Sequence, residues 1–316
     1  MKIIDCHQHL GPGPDAAEQL RDASLAAGIV RCVIFPAPAY YGVPDNAAHL
    51  AAAERFPDFF IPFYYCRLGE ESGAAVRDAA RAGFRGLKLI CPLADYDDRS
   101  FFTVYEAAEE LGMVCLFHLG IVARPQGIVV RDGFSRRMRP IYLDTVARCF
   151  PSLKIIGAHG GNPWLDEMAM AVRWNDNLFT DWSGSVLFHR PPGFMRELYW
   201  WDRADAFFKG GGLGPFDKVV FGADVGPEKV AGAVDAYRRH MAAMNLSAAD
   251  CAKIWYGNAA RLLGLDPGHV SDQPGDGKTG AGSAPGSAAG ASGSRNRART
   301  RINNTHKAAH RQKNIR

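Results

Sequence analysis

Short apolar runs alternate with helix-forming stretches eight times before residue 265, and no other feature restricts the fold as much. Strands are predicted at residues 3–9, 30–35, 60–66, 85–90, 113–117, 153–158, 178–182 and 218–221. Helical stretches lie between them, two of which stop at Gly83 and Gly112, residues that readily take the left-handed turn ending a helix. Asp15 with Glu18 forms a capping-box pattern, and Asn162 followed by Pro163 reads as another helix start. Regular alternation of strand and helix implies a parallel sheet, and eight units in about 265 residues match an α/β (β/α)8 TIM barrel. An open doubly wound sheet is the alternative. No Gly-x-Gly-x-x-Gly follows the first strand, which weighs against a dinucleotide site.

The barrel is expected to run to residue 266, with 267–316 as a tail of different composition. Residues 280–294 are nearly all Gly, Ala, Ser and Pro, which cannot bury enough apolar surface to fold. Nine of the 37 Lys and Arg lie beyond residue 270 against two of the 33 acids, so the body is mildly acidic and the tail basic. Such a tail could anchor RNA or another anion, but it has no aromatic residue to stack on bases, so a solvated tail is expected. The seven cysteines are scattered, mostly in apolar runs, and read as reduced core residues of a cytoplasmic protein. No signal peptide precedes the first strand, and no run approaches the ~18 apolar residues of a membrane helix.

The chemistry-bearing residues sit at strand ends. In Ile3-Ile4-Asp5-Cys6-His7-Gln8-His9, strand alternation points Asp5, His7 and His9 to one face and Cys6 and Gln8 to the other. Two imidazoles side by side pack poorly but suit a metal ion. His118 ends the fifth strand, His159 the sixth and Asp224 the eighth. Catalytic groups of a barrel gather at the C-terminal ends of its strands, so these five side chains should meet at one mouth. His49, His189 and His240 read instead as hydrogen-bonded core residues. Lys88 lies in an apolar strand and either faces the barrel or ends at its rim. The loop after strand five carries Arg124, Arg131, Arg136, Arg137 and Arg139, suited either to a fork for a substrate carboxylate or to a solvated surface. Tyr40, Tyr41, Trp164, Trp182, Trp200 and Trp201 could line a pocket for a ring or simply pack.

The Asp-x-His-x-His start, Leu116-Phe117-His118-Leu119-Gly120, the His-Gly-Gly from His159 and Phe-Gly-Ala-Asp ending at Asp224 resemble the amidohydrolase superfamily. Gly86-Leu87-Lys88-Leu89, residues 107–112 and Gly257-Asn258-Ala259-Ala260-Arg261 also fit. The resemblance covers residues 1–265 and is nearest to the amidohydrolase-related branch that includes aminocarboxymuconate-semialdehyde decarboxylase. It implies a single divalent metal, usually zinc, held by His7, His9, His118 and Asp224, with water completing the shell. It places His159 beside the ion as a catalytic residue. Zinc accepts imidazoles and a carboxylate and lowers the pKa of bound water to about 7. Asp224 is suited to accept and return a proton, His159 to donate toward developing negative charge, and Asp5 to orient ligands. In binuclear relatives a strand-four lysine is carbamylated and bridges two metals; Lys88 is read instead as a substrate-facing or structural amine beside one metal. The implied activity is metal-dependent hydrolysis of an ester, lactone or amide in a small molecule. The alternative is non-oxidative decarboxylation of a small unsaturated or aromatic acid on the same scaffold. Members of this branch are often homodimers, although the residues themselves point to no interface.

Overall fold

The computed structural model describes residues 1–123, 126–130, 133–202 and 213–265. Arg124, Arg131 and the whole tail expectation lie outside the described residues.

Seven strands form one parallel sheet in sequence order: β1 (Ile3–Gln8), β2 (Ile29–Ile34), β3 (Phe60–Cys66), β4 (Gly86–Leu89), β5 (Val114–Phe117), β6 (Lys154–Gly157) and β7 (Leu178–Thr180). Helices α1 (Ala16–Ala26), α2 (Asn46–Arg55), α3 (Gly73–Ala82), α4 (Phe102–Glu110), α5 (Ile141–Cys149) and α6 (Leu165–Trp174) separate successive strands. After β7 come the short α7 (Ser185–His189) and α8 (Phe194–Leu198), then α9 (Val230–Ala243), α10 (Ala248–Ala252) and α11 (Asn258–Leu263). No described helix is long and apolar enough to cross a membrane.

The eighth strand expected at 218–221 is not regular; it is reduced to an isolated parallel bridge between Thr180 and Val219. Its backbone nevertheless closes the sheet. On one side Thr180 N–H donates to Lys218 O and Val220 N–H to Thr180 O; on the other Cys6 N–H donates to Phe221 O and Asp224 N–H to His7 O. The segment therefore joins the β7 edge to the β1 edge. Its bonds are too few for a ladder, but they leave neither edge open at this level. Gly222 permits the close approach: a Cβ there would lie 2.9 Å from His7 Cβ and 3.1 Å from Asp181 Cβ.

Local sequence explains the elements. In α3 the buried residues are Gly73, Val76 and Ala79, spaced by three, while Arg77, Asp78 and Arg81 face outward. The helix ends with Gly83 at φ +110°. Asp45 caps α2 by accepting from Ala48 N–H at 3.0 Å. Asp15 stands at the N-cap of α1, but its side chain makes no capping bond. The expected start at Asn162 is displaced: α6 begins at Leu165, after a turn in which His159 and Gly160 take positive φ.

Two layers of core follow. Ile4, Cys6, Val33, Phe35, Ile61, Phe63, Val114, Leu116, Ile156, Phe179 and Val220 fill the interior of the sheet. The outer faces pack on the helices in two further clusters. Each such side chain, fully buried, contributes roughly 1.5–3 kcal/mol of transfer free energy. His49 and His240 are buried with backbone partners, Asp45 O and Leu187 O, whereas His189 is exposed.

Candidate metal centre

Register sets the level of the site. Leu89, Phe117, Gly157 and Thr180 are successive partners across β4 to β7. The next residues therefore leave the sheet together, and they include His118 and Asp181. At β1 the pairing with β2 slips between Asp5 and Gln8. The simple alternation expected for Asp5, His7 and His9 is broken by that irregularity. Ile4 and Cys6 face the interior core, yet His7 and His9 still meet at the mouth. Asp5 does not join them. Its Oδ1 accepts from His7 N–H (3.0 Å) and Ala223 N–H (3.1 Å), tying β1 to the closing segment. Burial pushes the Asp5 carboxyl up to about 8 despite those bonds.

His7 and His9 point their Nε2 atoms at one oxygen, Asp224 Oδ1, at 3.8 and 3.7 Å. His159 Nδ1 lies 3.9 Å from the other oxygen, Oδ2. Among the described residues, His7, His9 and Asp224 bring one ligand atom each within 4.8 Å of one another, as do His7, His159 and Asp181. His159 and Asp224 both hold left-handed backbone, at φ +60° and +49°. Such strain in non-glycine residues persists only where surrounding structure enforces it, and it gathers at functional sites.

Hydrogen bonds fix the tautomers. His7 Nδ1 is 2.9 Å from Asp181 Oδ2, and His9 Nδ1 is 2.8 Å from Phe35 O. Both acceptors require a proton on Nδ1, so each Nε2 carries a lone pair. Two lone pairs and a carboxylate oxygen thus converge with no imidazole proton between them. Acceptors so arranged repel unless a cation sits among them, and spacings near 3.7 Å are close to the ~3.4 Å between ligands around a tetrahedral zinc. The residues therefore fit a divalent metal. The nearby donor is Lys88 Nζ, 3.2 Å from His7 Nε2 and 4.4 Å above the Phe35 ring. Burial brings the Lys88 amine down to about 8.

Asp181 was not singled out in the sequence, yet it organises the site. Its Oδ1 accepts from His159 N–H (2.9 Å), Ser183 N–H (3.0 Å) and Ser183 Oγ (2.6 Å), while Oδ2 holds His7. Burial opposes its charge, but His7 beside it, together with the hydrogen bonds from His7 and Ser183, holds it below the ordinary carboxylate range. Because Ser183 Oγ donates to Asp181, it accepts from His159 Nδ1 at 2.8 Å. His159 Nε2 then accepts from His118 Nδ1 at 3.2 Å. His118 is left with a buried Nε2 that has no partner among the described residues. It is thus one hydrogen bond from His159, outside the two ligand clusters, with an orphaned lone pair. Burial keeps the imidazoles uncharged: His9 is lowered to about 3 and His159 to about 4, while His118 is also lowered, with His159 adding to its shift. Burial acts against the Asp224 charge as well, but His7, His159, His9 and Lys88 keep it ionised.

A cavity of about 280 Å³ opens here, lined by His9, Tyr41, Lys88, His118, His159 and Asp224 together with Ala37, Val43, Ile90 and Ala123. None of the described loop arginines lines it. Arg137 donates to Pro92 O at 3.2 Å and stacks on Phe134, Arg139 pairs with Glu167, and Arg136 is exposed. Arg137 and Arg139 thus bind neighbouring backbone and side chains, and Arg136 faces solvent. Of the aromatic residues considered for a pocket, Tyr41 lines the cavity. Trp182 stacks on Tyr237 at 5.4 Å in the core, Trp201 is buried, Trp164 lies against Arg139, and Trp200 is exposed.

No match was found among curated proteins. Solved structures with the same fold include an uncharacterized TIM-barrel protein from Bordetella bronchiseptica (20% identity, TM-score 0.64, covering 84% of this chain and 99% of that one). A probable 2-pyrone-4,6-dicarboxylic acid hydrolase from Acinetobacter baumannii, with citric acid bound, is 15% identical (TM-score 0.57, 84% and 100% covered). A 5-carboxyvanillate decarboxylase from Novosphingobium aromaticivorans, with bound manganese, is 16% identical (TM-score 0.55, 84% and 97% covered). The family model described as amidohydrolase matches residues 4–265, a span that holds the strand-end histidines and aspartates, and the chain belongs to the amidohydrolase family.

Proposed function

We propose that this protein is a metal-dependent hydrolase that opens an ester, lactone or amide bond in a small molecule. The observation that carries the reading is the convergence of His7 Nε2 and His9 Nε2 on Asp224 Oδ1, with His159 on the other oxygen. His7, His9 and Asp224 would hold one divalent ion, zinc by the donor set, and the orphaned His118 Nε2, which lies outside that cluster, would have to turn toward it to serve as a further ligand. The chemistry such an ion supplies when bound is polarisation of a substrate oxygen and a lowered pKa for water.

The chain's own groups do the rest. Asp224, kept ionised by its four cationic or imidazole neighbours, takes a proton at Oδ2 and returns it to the leaving group. His159, held by Ser183 and the Asp181 carboxylate, stands beside that oxygen, and its Nδ1–H would turn from Ser183 Oγ toward developing negative charge. Lys88, in the cavity wall, offers its ammonium to a carboxylate or carbonyl oxygen of the substrate. Tyr41, in the cavity lining, offers a ring face to the substrate body.

The second reading is a carboxy-lyase acting on an unsaturated or aromatic acid. It is favoured by the decarboxylase among structures of this fold and by the Lys88 amine, which suits a substrate carboxylate. It is also the reading that a closer kinship with aminocarboxymuconate-semialdehyde decarboxylase would imply. The metal-loaded protein should be offered a panel of small lactones and esters beside a panel of aromatic and enoic acids. Acid release from the first panel without carbon dioxide from the second supports hydrolysis; carbon dioxide release alone refutes it.

A further inference from the structure

A cavity of about 400 Å³ lies at the opposite end of the sheet from the metal centre. Its walls come from the N-terminal ends of strands. Arg31 stands early in β2, Phe60, Ile61 and Pro62 open β3, and Arg85 directly precedes β4. Leu50 and Ala53 of α2 and Leu263 at the end of α11 complete an apolar lining. That volume is ample for a small organic molecule.

Two like charges face this space. Among the described residues, neither the Arg31 nor the Arg85 guanidinium has a hydrogen-bond or ion-pair partner, and Arg31 Nε is buried without one. Burial makes the Arg31 charge costly; Asp58 relieves it through space, while Arg85 aggravates it. Glu54 also lines the cavity but is exposed at its rim and closes no pair with either arginine. Arg85 is exposed and solvated, whereas Arg31 is half-buried and its Nε is shut away from water without a partner, so a carboxylate entering the cavity would satisfy that Nε while lying beside Arg85. Guanidinium groups match the planar, two-oxygen geometry of a carboxylate. The leucine, phenylalanine and proline side chains around them call for an apolar body, and Glu54 at the rim disfavours a doubly charged inorganic anion.

We propose that this cavity binds a monocarboxylate with an aliphatic or aromatic body, its carboxylate held by Arg31 and Arg85 and its apolar part by Phe60, Ile61 and Leu263. The site lies away from the catalytic cavity and shares no lining residue with it. The inference stands on this geometry alone and does not depend on the reaction.

Calorimetric titration of octanoate into the full-length, metal-loaded protein tests it. Saturable binding is expected at about one site per chain, weakened about tenfold or more in Arg31→Met and in Arg85→Met, with octanol and sulfate binding far more weakly. Leu263→Trp fills the apolar end while leaving both arginines, and it should also remove binding; it keeps the test decisive if an arginine variant folds poorly. Asp224→Asn should retain octanoate affinity, which separates this site from the catalytic one. The inference is overturned if octanoate does not saturate, if both arginine variants and Leu263→Trp bind as the parent does, or if Asp224→Asn abolishes binding. Sulfate binding as tightly as octanoate would mean an adventitious ion only and would equally overturn it.

Discussion

Asp181→Asn is the substitution that probes the site most sharply. The change keeps shape and removes one charge. Oδ1 faces three donors, from His159 N–H, Ser183 N–H and Ser183 Oγ, so the amide oxygen takes that side. The amide NH2 is then forced toward His7 Nδ1, 2.9 Å away. A donor there requires His7 Nδ1 to accept, which moves the imidazole proton to Nε2. That proton would sit among Lys88 Nζ at 3.2 Å and the Asp224 oxygen at 3.8 Å, where a lone pair is needed. Losing a carboxylate behind a ligating histidine costs about 10–100-fold in metal affinity or activity. The pair is fully buried, so the upper half of that range is expected, on the order of 2–3 kcal/mol. Chelator-competition titration with zinc should show the weakening directly, and turnover of whichever substrate the panels identify should fall in parallel. Ser183→Ala, which leaves the His7 bond in place, should cost much less. Metal affinity in Asp181→Asn equal to that of the parent would refute the tautomer argument.

Three further outcomes follow from the geometry. His159→Asn should lower kcat by roughly 10²-fold or more while metal content is retained, since the ring touches Asp224 but its proposed role is charge stabilisation; loss of the metal together with activity would contradict that division. Gly222→Ala places a Cβ 2.9 Å from His7 Cβ, so the closing segment must shift, and metal affinity should drop by about tenfold although the residue itself binds nothing; unchanged affinity would show that the site tolerates the displacement. His49 is buried and neutral, with burial lowering its imidazole to about 4. Between an ordinary value near 6.5 and about 4, the unfolded chain binds a proton that the folded chain refuses, so stability falls as pH drops through that window, by roughly 3 kcal/mol in all. Denaturant melts at pH 7, 6 and 5 should therefore show a smaller loss in His49→Gln than in the parent; parallel losses would remove His49 as the cause.

Much of the site was legible because strand ends announce themselves. His118, His159 and Asp224 each follow an apolar run, and the structure brings them to one cavity, with His118 outside the two ligand clusters. Asp181 obeys the same rule but was absorbed into a strand drawn to residue 182, whereas β7 ends at Thr180. A carboxylate two residues before a serine at a strand end was the available signal. The irregularity in β1 was not legible, because it depends on how the closing segment bonds to Cys6 and His7. The same long-range bonding explains the eighth strand. Residues 218–221 have strand-like composition, but their partners are spread over β7, β1 and Ile254, so no regular ladder forms. The arginines of the loop after β5 were ambiguous from the start, since a guanidinium serves a substrate or a carbonyl equally well. Pro92 O and Glu167 take two of them.

Metal analysis of the purified protein tests the central claim most directly. About one zinc or manganese per chain is predicted for the parent, falling to near zero in Asp224→Ala and in the His7→Ala, His9→Ala double variant. Stoichiometric metal that survives both changes would contradict the account, as would a folded parent chain that binds no divalent ion when one is supplied.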